Sequence, residues 1–170
     1  METSTELATL TPLYVLPRAI HLASGASEGR TPLNAFDNAL LDAGVHNLNL
    51  VRVSSIVPRG AIFGGLPGLP VGTVVPTVYS EHTSTIPGEL SSACVGAGVG
   101  TCGGVLMEYH HAGSGPEAER VVLTMIEEGF ERRGWTLDDV LFATAEHRTD
   151  RIGCAVAAAL LLDPAPIGGR

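Results

Sequence analysis

At 170 residues, 45% of them hydrophobic and 16% charged, the chain is about one domain long and far too apolar to be disordered. Ten basic residues against eighteen acidic ones give a net charge of −8, which excludes a surface that neutralises a row of nucleic-acid phosphates. Three cysteines without CxxC spacing, Cys94, Cys102 and Cys154, argue against a disulfide scaffold or structural zinc site and read as small apolar residues of a reduced, cytoplasmic protein.

The polar start, Met1-Glu2-Thr3-Ser4, is not a basic region leading into an apolar run, so no signal peptide is expected. Ala19 to Ala23 alternates apolar and polar residues and predicts a strand, with a turn over Gly25 to Arg30. Thr31 as N-cap, Pro32 at the first helical position and Gly44 just past the end bracket a helix, LNAFDNALLDA. Leu33, Phe36 and Leu40 lie at i, i+3 and i+7 and define its expected buried stripe. Asp37 is the i+4 member of that stripe. A carboxylate on an apolar face is costly unless paired. Two readings of Asp37 stand at this point. It sits at the stripe's edge or caps a backbone group, or it waits for a cationic ligand.

Asn47 to Val57 (NLNLVRVSSIV) predicts one strand, ended by Pro58. The stretch PRGAIFGGLPGLPV is a loop of about 14 residues, a length uncommon in a compact domain unless functional. Gly72 to Thr83 predicts a strand whose Pro76 points to an edge or a bulge. Glu89 to Val99 and Gly103 to His110 predict two more. Small residues crowd the first (SSACVGAGVG), so something packs very close to its backbone. Ser114-Gly115-Pro116-Glu117 opens a second helix, with Ala118, Val121, Val122, Met125, Ile126 and Phe130 as its stripe and Gly134 as its end. Asp139 to Glu146 and Ile152 to Leu162 read as strands, the second with a helical alternative because of its alanines. Its apolar part, Ala155 to Leu162, is too short to span a bilayer. The order of elements is α+β, with two helices to cover the outer faces of a sheet or sheet pair.

Ser54-Ser55 closes an apolar strand just before a proline and a glycine-rich loop. Serines at a strand end ordinarily bond the backbone. The surroundings of this pair, however, resemble the pyruvoyl-dependent arginine decarboxylases. The matching blocks run in order from about Leu16 to Leu162: ASGASEGRTPLNAFDNALLDAG, NLNLVRVSSIVP, LPVGTVVPT, IPGE, GVLMEYHH, GFERRGW and AEHRTDRIGCAVAAAL.

The resemblance implies a four-layer αββα sandwich that assembles as a trimer with active sites between subunits. The small-residue strand Ser91 to Gly100 is a candidate assembly surface. One domain, residues 1–170, is expected to cut itself between Ser54 and Ser55 into 1–54 and 55–170. The Ser55 hydroxyl would attack the Ser54 carbonyl. Elimination of the resulting ester and hydrolysis of the dehydroalanine then leave a pyruvoyl group at residue 55. Only a β-hydroxyl at the second position can both attack and then leave. That group is the implied cofactor. It forms a Schiff base with the substrate amine and takes up electrons as carbon dioxide departs. The implied reaction is arginine to agmatine, without an external cofactor. VGAGVG is followed by nothing helical and does not meet the context of a phosphate loop.

The resemblance carries roles onto individual residues. Asp37 matches the carboxylate that binds the substrate guanidinium, a pairing that suits bidentate geometry; Ser54 is expected beside the substrate. Asn49 matches the asparagine that positions the carbonyl for self-cleavage. It lies six residues before Ser55, on the same face of an ideal strand but roughly 20 Å away. Either the chain bends, or Asn49 acts across a subunit contact, or it is a strand-end amide bonding backbone. Glu108 is the single charge in Gly103 to Tyr109 and matches the proton donor that acts after carbon dioxide leaves. Burial raises such a carboxyl's pKa; an outward-facing carboxylate is the alternative.

Glu89 in IPGE matches a family residue or ends a turn. His110 and His111 point to opposite faces of a strand and, with Glu146-His147, make a poor ligand set, so no metal is expected. Asn38 stands where the family pattern has a small residue, and His46 where it has glycine. Two alternatives therefore accompany arginine: the same chemistry on another amino acid, or an unprocessed, non-catalytic homologue serving as an assembly or binding module. Neither a nucleic acid nor a membrane is expected as a partner.

Overall fold

A computed structural model describes residues 16–163, and the chain start read above for a signal peptide lies outside them. The elements are β1 (Ala19–Glu28), α1 (Pro32–Asp42), β2 (Asn49–Arg52), β3 (Ile56–Val57), β4 (Ile62–Phe63), β5 (Val74–Ser84), β6 (Leu90–Gly100), β7 (Gly103–Ala112), α2 (Gly115–Arg133), β8 (Asp139–Arg148) and β9 (Gly153–Leu162). Strands in the order β2-β5-β9-β1-β4 form one sheet, and β3-β7-β6-β8 form the other. The class is α+β, as the element order implied.

β1 does not turn at Gly25. Its ladder with β9 runs on to Glu28 opposite Gly153. Gly25 serves close approach instead: a Cβ there would stand 2.5 Å from the Ala39 carbonyl oxygen on α1. β9 is a strand throughout and wholly buried. Ladders to β1 and β5 on its two sides override the helical preference of its alanines.

α1 is capped as predicted. Thr31 Oγ1 accepts the Asn34 N–H at 3.2 Å, and Gly44 beyond the last turn takes φ +75°. Its buried face is only in part the predicted stripe. Ala35, Ala39 and Leu40 are buried with Phe36 half-buried, whereas Leu33 is 74% exposed and Asp37 is exposed. The alanines let the helix settle against the glycine backbone of β1, so the i, i+4 alanine row faces the sheet and Leu33 turns outward. Asp37 is therefore not a buried carboxylate in the single chain.

The predicted strand Asn47 to Val57 is two strands in two sheets. β2 pairs parallel with β5, and β3 pairs antiparallel with β7. The chain crosses between the sheets at Val53-Ser54-Ser55. β5 is not an edge, since β2 and β9 flank it. Pro76 lies opposite Val51 of β2, ahead of the β9 ladder, which begins at Thr77. The proline thus interrupts no bond to β9. The long Gly/Pro loop contributes β4, which extends the first sheet beside β1.

Three apolar clusters hold these elements. Ile20, Val78 and Ala157 of the first sheet meet Val95, Ala97 and Leu106 of the second. Ala35, Ala39 and Leu40 of α1 pack on Val156, Ala158 and Leu160. Ala118, Val122, Ile126 and Phe130 of α2 pack on Cys94 and Val105. Val121 and Met125 are each 37% exposed, so the stripe of α2 is narrower than predicted. The close neighbour required by SSACVGAGVG is α2: a Cβ on Gly96 would stand 2.5 Å from Val122 Cγ1. Ser91 to Gly98 are buried within one chain, which removes them as an assembly surface. Cys94 and Cys154 are buried as expected, but Cys102 is exposed at the β6–β7 turn. No helix among the described residues is long and apolar enough to cross a membrane.

Candidate active site

Neither serine of the pair belongs to a strand. On the upstream side, the Val53 N–H donates to the Thr77 carbonyl at 3.2 Å and ties the chain to the first sheet. Downstream, the Ser55 carbonyl accepts the Leu106 N–H at 2.9 Å and ties it to the second. The Ser54–Ser55 peptide bond therefore lies between two anchors on different sheets, with Ser54 exposed and Ser55 half-buried. A bond in this position can be cut without releasing either side.

Glu108 stands two residues beyond Leu106 on β7, on the same strand face. β3 covers only Gly104 and Val105, so β7 presents an open edge at Glu108. The Glu108 side chain is 29% exposed. Burial raises its carboxyl above the ordinary value, partly offset by the Arg52 charge and its own backbone N–H. The carboxyl is thus half-buried and biased toward its neutral form.

Arg52 ends β2. Its Nη1 lies 3.8 Å from Glu108 Oε1, and its guanidinium sits 4.2 Å over the centre of the Tyr79 ring. Tyr79 in turn lies 6.3 Å from the Phe36 ring of α1. Sequence reasoning missed Arg52, Tyr79 and the Leu106 amide. A signal for Arg52 existed: it is the lone charge in NLNLVRVSS, as Glu108 is in its strand.

The other predicted residues are placed less closely. Asp37 is exposed on α1, next to Phe36, and makes no ion pair among the described residues. Asn49 is exposed at the start of β2, and its Nδ2 donates to the Gly72 carbonyl at 2.7 Å. In one chain it is thus a strand-end amide, at the end of β2 remote from Ser54. The chain does bend, but after Arg52.

The remaining polar residues have local partners. The Glu89 N–H closes a turn onto Ile86, and its carboxylate lies 3.8 Å from His82. His110 neighbours His82, while His111 donates to the Ser114 carbonyl at 3.1 Å. Glu146 accepts the Gly115 N–H at 2.7 Å, and His147 donates to Glu28 at 2.6 Å. Asn38 donates to the Glu28 carbonyl at 2.9 Å, and His46 is exposed. A depression of about 760 Å³ on α2, between Thr124, Glu127, Glu128, Glu131 and Arg132, contains none of the residues named for chemistry.

The sequence has relatives among known proteins. Residues 19–166 match the family model described as pyruvoyl-dependent arginine decarboxylase. A protein of that name from Methanocaldococcus jannaschii is 46% identical over 160 residues, covering 92% of this chain and 96% of that protein. One from Methanococcus maripaludis is 43% identical over 152 residues, covering 87% and 92%. One from Thermococcus sibiricus is 42% identical over 154 residues, covering 88% and 98%. With a family match over most of its length and relatives well above the level at which kinship is secure, the chain belongs to the pyruvoyl-dependent arginine decarboxylase family.

Proposed function

We propose that this chain cuts itself between Ser54 and Ser55 and then converts arginine to agmatine and carbon dioxide, as a trimer of four-layer αββα sandwiches. The observation that carries this reading is the crossing itself: a serine pair anchored to one sheet through Val53 and to the other through Ser55, with Glu108 on the strand that receives it.

In self-cleavage, Ser55 Oγ attacks the Ser54 carbonyl carbon. The peptide C–N bond breaks, an ester forms and the Ser55 amine is freed. Loss of the Ser55 Cα proton expels Ser54 as a carboxylate and leaves a carbon–carbon double bond at residue 55. Tautomerisation, addition of water and loss of ammonia complete the pyruvoyl group. The residues present fit that group. Ser55 supplies the β-hydroxyl, and its carbonyl oxygen, which becomes the amide oxygen beside the ketone, already accepts the Leu106 N–H.

The pyruvoyl group supplies a ketone for covalent capture of the substrate amine and an electron sink for departure of the carboxyl. The Leu106 N–H favours negative charge on the amide oxygen, as an oxyanion-hole donor does. Glu108, biased toward its neutral form by burial, holds a proton at its carboxyl oxygen for the substrate carbon. Asp37 receives the guanidinium and Asn49 serves the Ser54 carbonyl. Both are exposed on the single chain, so each is assigned to a site completed by a neighbouring subunit. The exposed apolar residues Leu33, Val51, Ile56, Ile62 and Val74 on α1, β2, β3, β4 and β5 support such an assembly.

Purified protein, incubated and weighed intact, tests the reading together with a product assay on a panel of amino acids. Two fragments, agmatine from arginine alone and a three-chain particle by light scattering are expected. A chain that stays whole and releases no carbon dioxide overturns the enzyme reading; a fully active monomer overturns the trimer.

A further inference from the structure

We propose that Arg52 is a positioning residue for the proton donor: stacked on Tyr79, it fixes a positive charge beside Glu108 and sets the pH at which that carboxyl gives up its proton. The inference deepens the decarboxylase reading and rests on it for the role of Glu108.

Three observations carry it. The first is the contact. At 3.8 Å, the approach of Arg52 Nη1 to Glu108 Oε1 is an ion contact and not a hydrogen bond. The charge is felt without a hydrogen bond from Arg52 tying up the carboxyl. The second is the platform. A planar guanidinium 4.2 Å over the Tyr79 ring is held by stacking. Arginine also stays charged through the whole range in which a carboxyl titrates. The third is the place of these residues along the chain. Arg52 lies upstream of the Ser54–Ser55 bond, whereas Tyr79 and Glu108 lie downstream. The contacts therefore bridge the cut and hold the newly freed end at Ser54 against the second fragment.

The other groups around Glu108 leave this part to Arg52. β5 brings Glu81 and His82, which are engaged with Thr83 and Glu89. His110 follows on β7 and neighbours His82. β6 places Val95 opposite Glu108, and β3 brings Ile56 and Val57. α2 packs on the opposite face, against Val105, Met107 and Tyr109. Burial pushes the Glu108 carboxyl up and Arg52 pulls it down, so removing Arg52 shifts the titration upward.

The test reads the Glu108 carboxyl directly, by carbon NMR of protein labelled at the glutamate carboxyl carbon. The signal is assigned by its loss in Glu108→Gln. The titration is run on the uncut Ser55→Ala chain, so it does not depend on decarboxylation. Arg52→Gln is expected to raise the titration midpoint of Glu108, and Arg52→Lys to return it toward the parent. In cleaved enzyme, Arg52→Gln should move the alkaline limb of kcat upward while the plateau falls on the order of tenfold from lost positioning. Tyr79→Leu, which keeps the charge but removes its platform, should also raise the midpoint and covers the case in which Arg52→Gln folds poorly. A Glu108 midpoint unmoved in the folded variants overturns the proposal, whatever the enzyme does to arginine. A shifted midpoint in a protein that never decarboxylates would instead sink the decarboxylase reading and leave the coupling standing.

Discussion

The Leu106 amide donates to the Ser55 carbonyl at 2.9 Å, one residue past the short β3–β7 ladder in which Ile56 faces Val105. The bond belongs to the downstream side of the serine pair, so cleavage at Ser54–Ser55 leaves it intact. The upstream side is held independently, by the ladder of β1 with β9 and by that of β2 with β5.

Self-cleavage should therefore give two fragments that do not separate. Residues 1–54 and a pyruvoyl-blocked 55–170 are expected to co-elute in native gel filtration and to resolve only under denaturing conditions. Ser55→Ala should remain whole. Ser55→Thr can attack and eliminate, but would leave a different keto acyl group, heavier by one methylene. A wild-type protein that denaturing mass spectrometry finds uncut after long incubation contradicts the assignment.

Asp37 tests the assembly as well as the substrate. On the single chain it is exposed, and an exposed ion pair is worth about 0–1 kcal/mol. If a neighbouring subunit covers it, losing one partner of a buried charge pair costs about 2–5 kcal/mol. Asp37→Asn should then raise KM for arginine more than tenfold, since tenfold is about 1.4 kcal/mol, while cleavage at Ser55 proceeds normally. A KM change of twofold or less would return Asp37 to the exposed face on which it lies.

Much of the fold was legible because its signals are local. Thr31, Pro32 and Gly44 bracket α1, and Ser114 and Gly134 bracket α2. What escaped was set by tertiary packing. The face of α1 follows from which residues allow close approach to Gly25, and alanines do this better than the leucine that a periodicity count favours. The break between β2 and β3 left no proline or glycine in NLNLVRVSSIV, since each half pairs with a different sheet. For the site, Ser54, Ser55 and Glu108 came from the resemblance, and the Ser55 carbonyl bonds to β7 two residues before Glu108. The parts played by Arg52 and the Leu106 amide depend on pairings between distant strands, which no local pattern encodes.

The Glu28–His147 pair predicts a specific acid weakness. Burial alone would raise the Glu28 carboxyl. The hydrogen bond from His147 and those from the N–H groups of Asp150, Arg151 and Ile152 outweigh it and lower the pKa to about 2 from 4.5. A folded-state value below the unfolded one contributes stability that is complete above pH 4.5 and is lost as pH falls from 4.5 toward 2. Glu28→Gln should lower the urea midpoint at pH 7 and should flatten its decline below pH 4.5 relative to the parent. Parallel declines in the two proteins would assign the acid sensitivity to other carboxylates.

Glu108 separates chemistry from binding. The substrate carbon that loses carbon dioxide must regain a proton before product can leave, and burial keeps the Glu108 carboxyl protonated to higher pH than an exposed glutamate. A donor acts only while it carries its proton, so kcat should hold below the raised pKa and fall as pH rises through it. Glu108→Gln keeps the shape and the hydrogen-bonding capacity but removes the acidic proton. It should lower kcat by roughly 10²–10⁴, the usual worth of a general acid, with little change in KM, and it should abolish that alkaline limb. Processing at Ser55 should suffer less, because it depends on the serine hydroxyl and on Asn49. The measurement is steady-state release of carbon dioxide by mutant protein shown by mass to be fully cleaved, so that uncut chain is not mistaken for slow chemistry. A cleaved Glu108→Gln enzyme with the parental kcat and pH profile would move the donor's role elsewhere, with Tyr109 the next side chain along the strand to test.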